Sequence, residues 1–126
     1  MSSLTDPAET RALDWLTGNT TTAPTGALKV ALVTANGSDA AAGSEVSGGS
    51  YARQTVTFSA ASAGSTSNTG ALTWTNMPAC TVVGIEVWDS AGTPIRWWWG
   101  PLASSKVVNV GDTFTILAGS LTLSMA

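Results

Sequence analysis

The feature that most constrains this chain is its punctuation. From Leu28 onward, strand-length runs with two-residue alternation are cut by turn residues about every 8 to 12 positions, the spacing of an all-β sandwich or barrel. Leu28, Val30 and Leu32 alternate with Lys29, Ala31 and Val33, the pattern of a strand with one buried face. Thr55, Val56, Thr57 and Phe58 alternate in the same way. Residues 71–75 set Leu72 and Trp74 on one side, and residues 80–88 set Val83, Ile85 and Val87 opposite Glu86 and Trp88. A turn over residues 90–94 returns residues 95–99 as a hairpin partner. Residues 106–110, 113–117 and 120–125 complete the series, with Gly111-Asp112 turning between the first two. The expected fold is mainly β: an antiparallel β-sandwich, immunoglobulin-like or jelly-roll-like.

Ahead of the strands stands one predicted helix, over residues 6–17. Asp6 as cap, Pro7 at the first helical position and Glu9 three residues beyond the cap make the start signal, and Gly18 the stop. Ala12, Trp15 and Leu16 share a face, with Leu13 beside them. A helix this short needs something to pack on. Its own sheet and a neighbouring chain both fit. Residues 1–26 read as a helical arm and linker, and residues 27–126 as the sandwich domain.

Charge narrows the function classes. Only 10% of the residues are charged, against about 25% in ordinary soluble proteins. Their place is taken by 34 serines and threonines and 13 glycines, which suit strands and turns. A net charge of −3 with five scattered cations gives no footprint for nucleic acid and no basic face for a membrane. The first residues lack the basic start and apolar core of a signal peptide. With no histidine, the Ser-His-Asp and Cys-His arrangements and the commonest zinc ligand are absent. Cys80 is alone and reads as a small buried hydrophobe. Glu86 and Asp89 are expected as solvated surface carboxylates. No calcium-loop spacing of acids is present, so no metal, cofactor or catalytic residue is expected.

The candidates for binding are aromatic. Alternation through Trp97, Trp98 and Trp99 puts Trp97 and Trp99 on one face and Trp98 on the other, so one side is expected to expose an aromatic together with Arg96. These residue types concentrate at protein interfaces, and could equally stack on sugar rings or fill the gap between sheets. The expected partner-binding residues are therefore Leu13, Trp15 and Leu16 on the helix, and Arg96 and Trp98 on the strand. The stretch from Ser44 to Phe58 gathers Gly48, Gly49, Tyr51 and Arg53 ahead of a strand. It reads as a structural motif, with the Arg53 guanidinium free to pair with Glu45 or to bond turn carbonyls. The small, alanine-rich loop over residues 35–43 is expected to be mobile or to reach a partner.

The run Ser44-Glu45-Val46-Ser47-Gly48-Gly49-Ser50-Tyr51-Ala52-Arg53-Gln54 resembles a Glu-Val-Ser-Gly-Gly-x-Tyr-Ala-Arg-Gln signature of small bacteriophage virion proteins. These are commonly labelled tail-fibre, minor structural or capsid decoration proteins. The resemblance implies a non-enzymatic structural protein of a tailed phage particle, made in the bacterial host cytoplasm and located in the virion. It also implies the major capsid protein or other virion proteins as partners; symmetric self-association, a trimer being one form, would cover the low-charge surface. Fibres gain length from coiled coils or repeats, and none is visible, so capsid decoration is the leading expectation. A tail-associated or fibre-tip module, with or without host-glycan binding, is the alternative.

Overall fold

A computed structural model of the protein describes residues 3–19 and 23–125. The elements are β1 (Ser3–Leu4), α1 (Asp6–Leu16), β2 (Leu28–Ala35), β3 (Ser44–Glu45), β4 (Gln54–Val56), β5 (Ser65–Ser67), β6 (Leu72–Trp74), β7 (Cys80–Trp88), β8 (Arg96–Val108), β9 (Phe114–Ile116) and β10 (Thr122–Ser124). All strand pairings are antiparallel. One main sheet runs in the order β1-β8-β7-β2-β3, with β4 also paired to β2, and β5–β10 and β6–β9 form two small sheets. The architecture is sandwich-like, mainly β, with one short N-terminal helix, as expected.

The hydrophobic core lies between the main sheet and the small ones. Register sets Leu4, Trp98, Val87 and Val30 side by side on the inner face. Val30, Leu32, Val56, Ile85 and Val87 meet Leu72 and Trp74 of β6, Phe114 and Ile116 of β9, and Leu121 in one buried cluster. The Trp74 and Phe114 rings meet edge to face at 5.8 Å, a favoured aromatic arrangement. Asn68 is buried at the far end, where its side chain donates to the Gly70 and Leu117 carbonyls and accepts from the Leu121 N–H. One polar residue thereby closes three loop ends that have no sheet ladder to satisfy them.

Several elements depart from the pattern in the sequence. β2 was expected to bury one face, yet Val30, Ala31, Leu32 and Val33 are all fully buried. The reason is cover on both faces: the core on one, and a folded-back loop on the other. The strand at residues 95–99 and the one at 106–110 are one long β8 with a register shift opposite Val82 and Gly84. There Gly84 is obligatory, since a Cβ would strike Asn36 Oδ1 and come within 2.7 Å of the Gly100 carbonyl oxygen.

The helix starts one residue earlier than its sequence signal. Thr5, not Asp6, is the cap: its side chain accepts from the Ala8 N–H at 3.3 Å and donates to the Arg96 carbonyl at 2.6 Å. The Thr5 N–H reaches the Trp97 carbonyl, and the Asp6 N–H reaches that of Asp39. Together with β1, these bonds join residues 3–8 to the edge of the main sheet, and Ala8 is fully buried. A buried cap with two partners is worth more than a solvated one. Thr5→Ala should lower unfolding free energy by about 1–2 kcal/mol in chemical denaturation. Thr5→Ser, which keeps both bonds, should recover most of it.

Candidate functional site

The outer face of the main sheet carries a connected network of charged and aromatic side chains. Register places Ala31, Glu86, Trp99 and Ser3 in one row across it. Glu86 is almost wholly buried, and its carboxylate accepts from Arg96 Nη1 at 3.2 Å, the Gly43 N–H at 2.7 Å and Trp88 Nε1 at 3.3 Å. Arg96 Nη2 continues to the carbonyls of Ser38 and Asp39. Trp99 Nε1 donates to Asp39 Oδ1 at 2.7 Å. The loop over residues 36–43 is therefore a folded cover, tied to the sheet by Arg96, Glu86 and Trp99. The expected mobile reach toward a partner is corrected by those bonds. Gly37 and Gly43 allow the cover, for a Cβ on either would meet loop backbone, at Ala41 or Ala35 respectively.

Arg96 and Trp98 are not at the surface as the alternation implied. Arg96 is buried in the ion pair with Glu86, and Trp98 is half-buried against the core. A second register shift, beside Val87 and Trp88, breaks the simple alternation at the start of β8. It pairs Arg96 with Trp88 on the outer face and leaves Trp97 buried beneath the helix, its ring centroid 5.9 Å from the Arg11 guanidinium carbon. Asp89, expected to be solvated, is buried and accepts from the N–H groups of Ile95 and Ala91, from Trp97 Nε1 and from the Thr25 N–H. Both carboxylates are committed to donors of their own fold.

The opening motif builds the other half of the network. β2 pairs with β4 at residues 28–30 and with β3 at Val33 and Ala35, and the chain leaves the sheet between them. That gap would orphan the Leu32 N–H. The Tyr51 hydroxyl fills it, accepting from Leu32 at 2.9 Å and donating to Glu45 Oε2 at 2.7 Å. Arg53 grips the same carboxylate through Nε and Nη2, the shorter contact being 2.8 Å, and its guanidinium carbon lies 4.3 Å from the centroid of the Trp88 ring. Gly48 and Gly49, at φ +104° and +55°, make the turn that returns Tyr51 to the sheet. A Cβ on Gly49 would lie 2.6 Å from the Asn76 carbonyl oxygen, which accepts from the Ser50 N–H.

These environments set the titration of the cluster. Burial raises the Glu45 carboxyl, but the bonds from Arg53 and Tyr51 outweigh it and hold the group below its ordinary value. Asp89 behaves alike: burial raises it, and the donors from Ile95, Trp97, Thr25 and Ala91 win. Burial, together with the carboxylate of Glu45, pushes the Tyr51 phenol up, so it stays a donor. Burial also raises the half-buried Cys80 thiol, away from nucleophilic use. Among the described residues, no group of three or more histidine, cysteine, aspartate or glutamate side chains is placed to hold a metal ion. No helix among the described residues is long and apolar enough to cross a membrane.

What the sheet does not use is the end of the helix. Ala8, Ala12 and Trp15 share a face at i, i+4 and i+7, but burial fades along it: Ala8 is fully buried, Ala12 half-buried and Trp15 61% exposed. Leu13 and Leu16 are 64% and 66% exposed. Of the six tryptophans, only Trp15 is largely exposed; Trp74 and Trp97 are buried and the rest half-buried. An aromatic platform at residues 97–99 is therefore not available, and the exposed apolar surface of α1 is its last turn and a half.

With this geometry in place, comparison with known families is decisive. A family model described as podophage GP4 fiber I protein gp80 matches residues 3–124. The chain belongs to that family. It is a family of phage virion structural proteins, in line with the resemblance carried by residues 44–54, and the match covers the helix as well as the sandwich. No curated protein matches the chain.

Two outcomes test the cluster. Tyr51→Phe leaves the Leu32 N–H without a partner and removes a donor from Glu45, so unfolding free energy should fall by about 1–3 kcal/mol. In the pH series, the unfolded carboxylates take up protons before the folded ones do, because the folded values are depressed. Stability should therefore be lost as pH falls through the ordinary values of 4.5 for Glu45 and 3.8 for Asp89 and below. Asp89→Asn should flatten that fall, measured by urea midpoints from pH 7 to pH 3.

Proposed function

We propose that this chain is a fibre-associated structural module of a podophage-type particle, assembling with other virion proteins and with copies of itself. The observation that carries this reading is the family match over residues 3–124, whose description is that of a fibre protein. The geometry is compatible with a scaffold part. The buried carboxylates and five of the six tryptophans are engaged with the protein's own groups, and the exposed apolar residues of the helix form a contact surface. Leu13, Trp15 and Leu16 are the residues proposed to dock, since the other expected pair, Arg96 and Trp98, lies inside the fold. Tryptophan is among the residue types that carry most of the binding energy in protein interfaces, and the two leucines would extend the apolar contact around it.

Capsid decoration is the second reading, and one observation favours it. The described residues contain a single helix of 11 residues and no coiled coil, so the domain has no device of its own for generating fibre length. Gold-labelled antibody on intact virions separates the two. Label confined to the tail region supports the fibre-associated module. Label spread evenly over capsid facets, with none on purified tails, overturns it in favour of decoration.

A further inference from the structure

We infer that Asn36 is a self-modifying site: with Gly37 it cyclises, loses ammonia and opens to aspartate and isoaspartate, and the product loosens the cover over residues 36–43. The chemistry is intramolecular. The Gly37 backbone nitrogen attacks Cγ of Asn36, the new C–N bond closes a succinimide ring, and the Cγ–Nδ2 bond breaks. The proton given up by the glycine nitrogen leaves with the ammonia. Solvent water then opens the ring on either side. Breaking the bond from the glycine nitrogen to Cγ leaves aspartate. Breaking its bond to the main-chain carbonyl carbon leaves isoaspartate, in which the backbone runs through the side chain.

The chain contains five asparagines, and their settings differ. Asn68 is buried, and its side chain bonds Gly70, Leu117 and Leu121. Asn19 and Asn76 donate through Nδ2 to Thr17 and Ser50, and neither is followed by glycine. Asn109 precedes Val110, whose branched Cβ crowds the nitrogen that would attack. Asn36 alone precedes a glycine, which puts no Cβ beside that nitrogen. It is exposed, and among the described residues neither its carboxamide nor the Gly37 N–H has a hydrogen-bond partner. Both reacting groups are therefore unspent.

The product acts where the cover has no slack. A Cβ on Gly37 or on Gly43 would strike a carbonyl oxygen, that of Ala41 or Ala35. Ala35 is paired with Ser44, the Ser38 and Asp39 carbonyls are held by Arg96, and the Gly43 N–H by Glu86. Isoaspartate adds a methylene to the main chain between Ala35 and Ser38. Either product adds one negative charge to a chain of net charge −3. The Asn36 side chain lies over Gly84, which shares the outer face with Glu86. At about 3.3 Å per residue, the new carboxylate stands roughly 7 Å along the sheet from Glu86, whose cation Arg96 is already paired. Both effects disturb the loop that supplies the Asp39 carbonyl to the Asp6 N–H, so the change reaches the start of α1.

The full chain, kept folded in mildly alkaline buffer, provides the test. Its intact mass should rise by about 1 Da, and isoelectric focusing should show one added negative charge. Peptide mapping should place aspartate and isoaspartate at residue 36, with the other asparagines unchanged. Asn36→Gln, whose longer side chain closes its ring far more slowly, should abolish these changes. Asn36→Ser, smaller than the native residue, should do the same without crowding Gly84. In the aged native chain, hydrogen exchange at the Gly43 and Asp6 amides should quicken about tenfold relative to either variant held alongside. An Asn36 that stays intact in the folded chain, over the time in which the urea-unfolded chain converts, would overturn the site. Equal conversion at any other asparagine would do so too. Conversion at residue 36 that leaves both amides as protected as before would overturn the effect on the cover.

Discussion

Everything on the outer face of the main sheet depends on the buried pairing of Glu86 with Arg96. Taking two full charges out of water costs several kcal/mol apiece, and the cost is offset only where the remaining lone pairs and protons find partners. Here they do. The carboxylate collects three donors, and the guanidinium passes on to two carbonyls of the covering loop. The pair is therefore less a source of net stability than a set of fixed points. It dictates where the loop over residues 36–43 must lie, and the loop in turn supplies the Asp39 carbonyl that receives the first helical N–H. Helix position is thus set through a chain of bonds that begins with a buried ion pair.

The same logic explains why the motif of residues 44–54 reads as unusual. A sheet that pairs one strand with two short partners must leave a gap in its ladder, and a buried N–H in that gap is expensive. Tyrosine suits the task because its ring reaches across the gap, packing against the core, while its hydroxyl both accepts and donates. Glu45 and Arg53 then hold that hydroxyl, and the Trp88 ring carries the contact over to Glu86. Three carboxylates, two guanidiniums and two tryptophans become one network. Its chemistry is that of a scaffold.

The sequence made the fold class legible because alternation and turn residues are local signals. Leu72, Trp74, Ile85 and Val87 are buried in the core, and the hairpin through residues 90–94 is present as the turn chemistry implied. What it hid were cooperative facts. Glu86 looks like any strand carboxylate until Gly43, Trp88 and Arg96 converge on it from three segments. Trp98 was expected outside because a perfect period of two was carried through a strand whose register shifts at its first residues. Bulges carry no strong residue signature, and one extra residue exchanges the two faces of a strand. The cap was displaced for a similar reason: Thr5 and Asp6 are both good caps, and the Arg96 carbonyl made the choice.

The low charge of the chain takes on a different sense in this light. A surface with few ions could mean that neighbours cover much of it, yet hydroxyls are plentiful in this chain, and nearly half of its ions are turned inward. Four of the eight carboxylates and two of the five cations sit in the outer-face network or beneath the adjoining turn, fixed by partners on other segments. An internal network that consumes its charges leaves a body with weak long-range fields, so orientation in an encounter falls to the few groups left over. Those groups are Asp6, Glu9, Arg11 and Asp14 on the helix, Lys29 on β2, and Lys106 and Asp112 near the far end of β8.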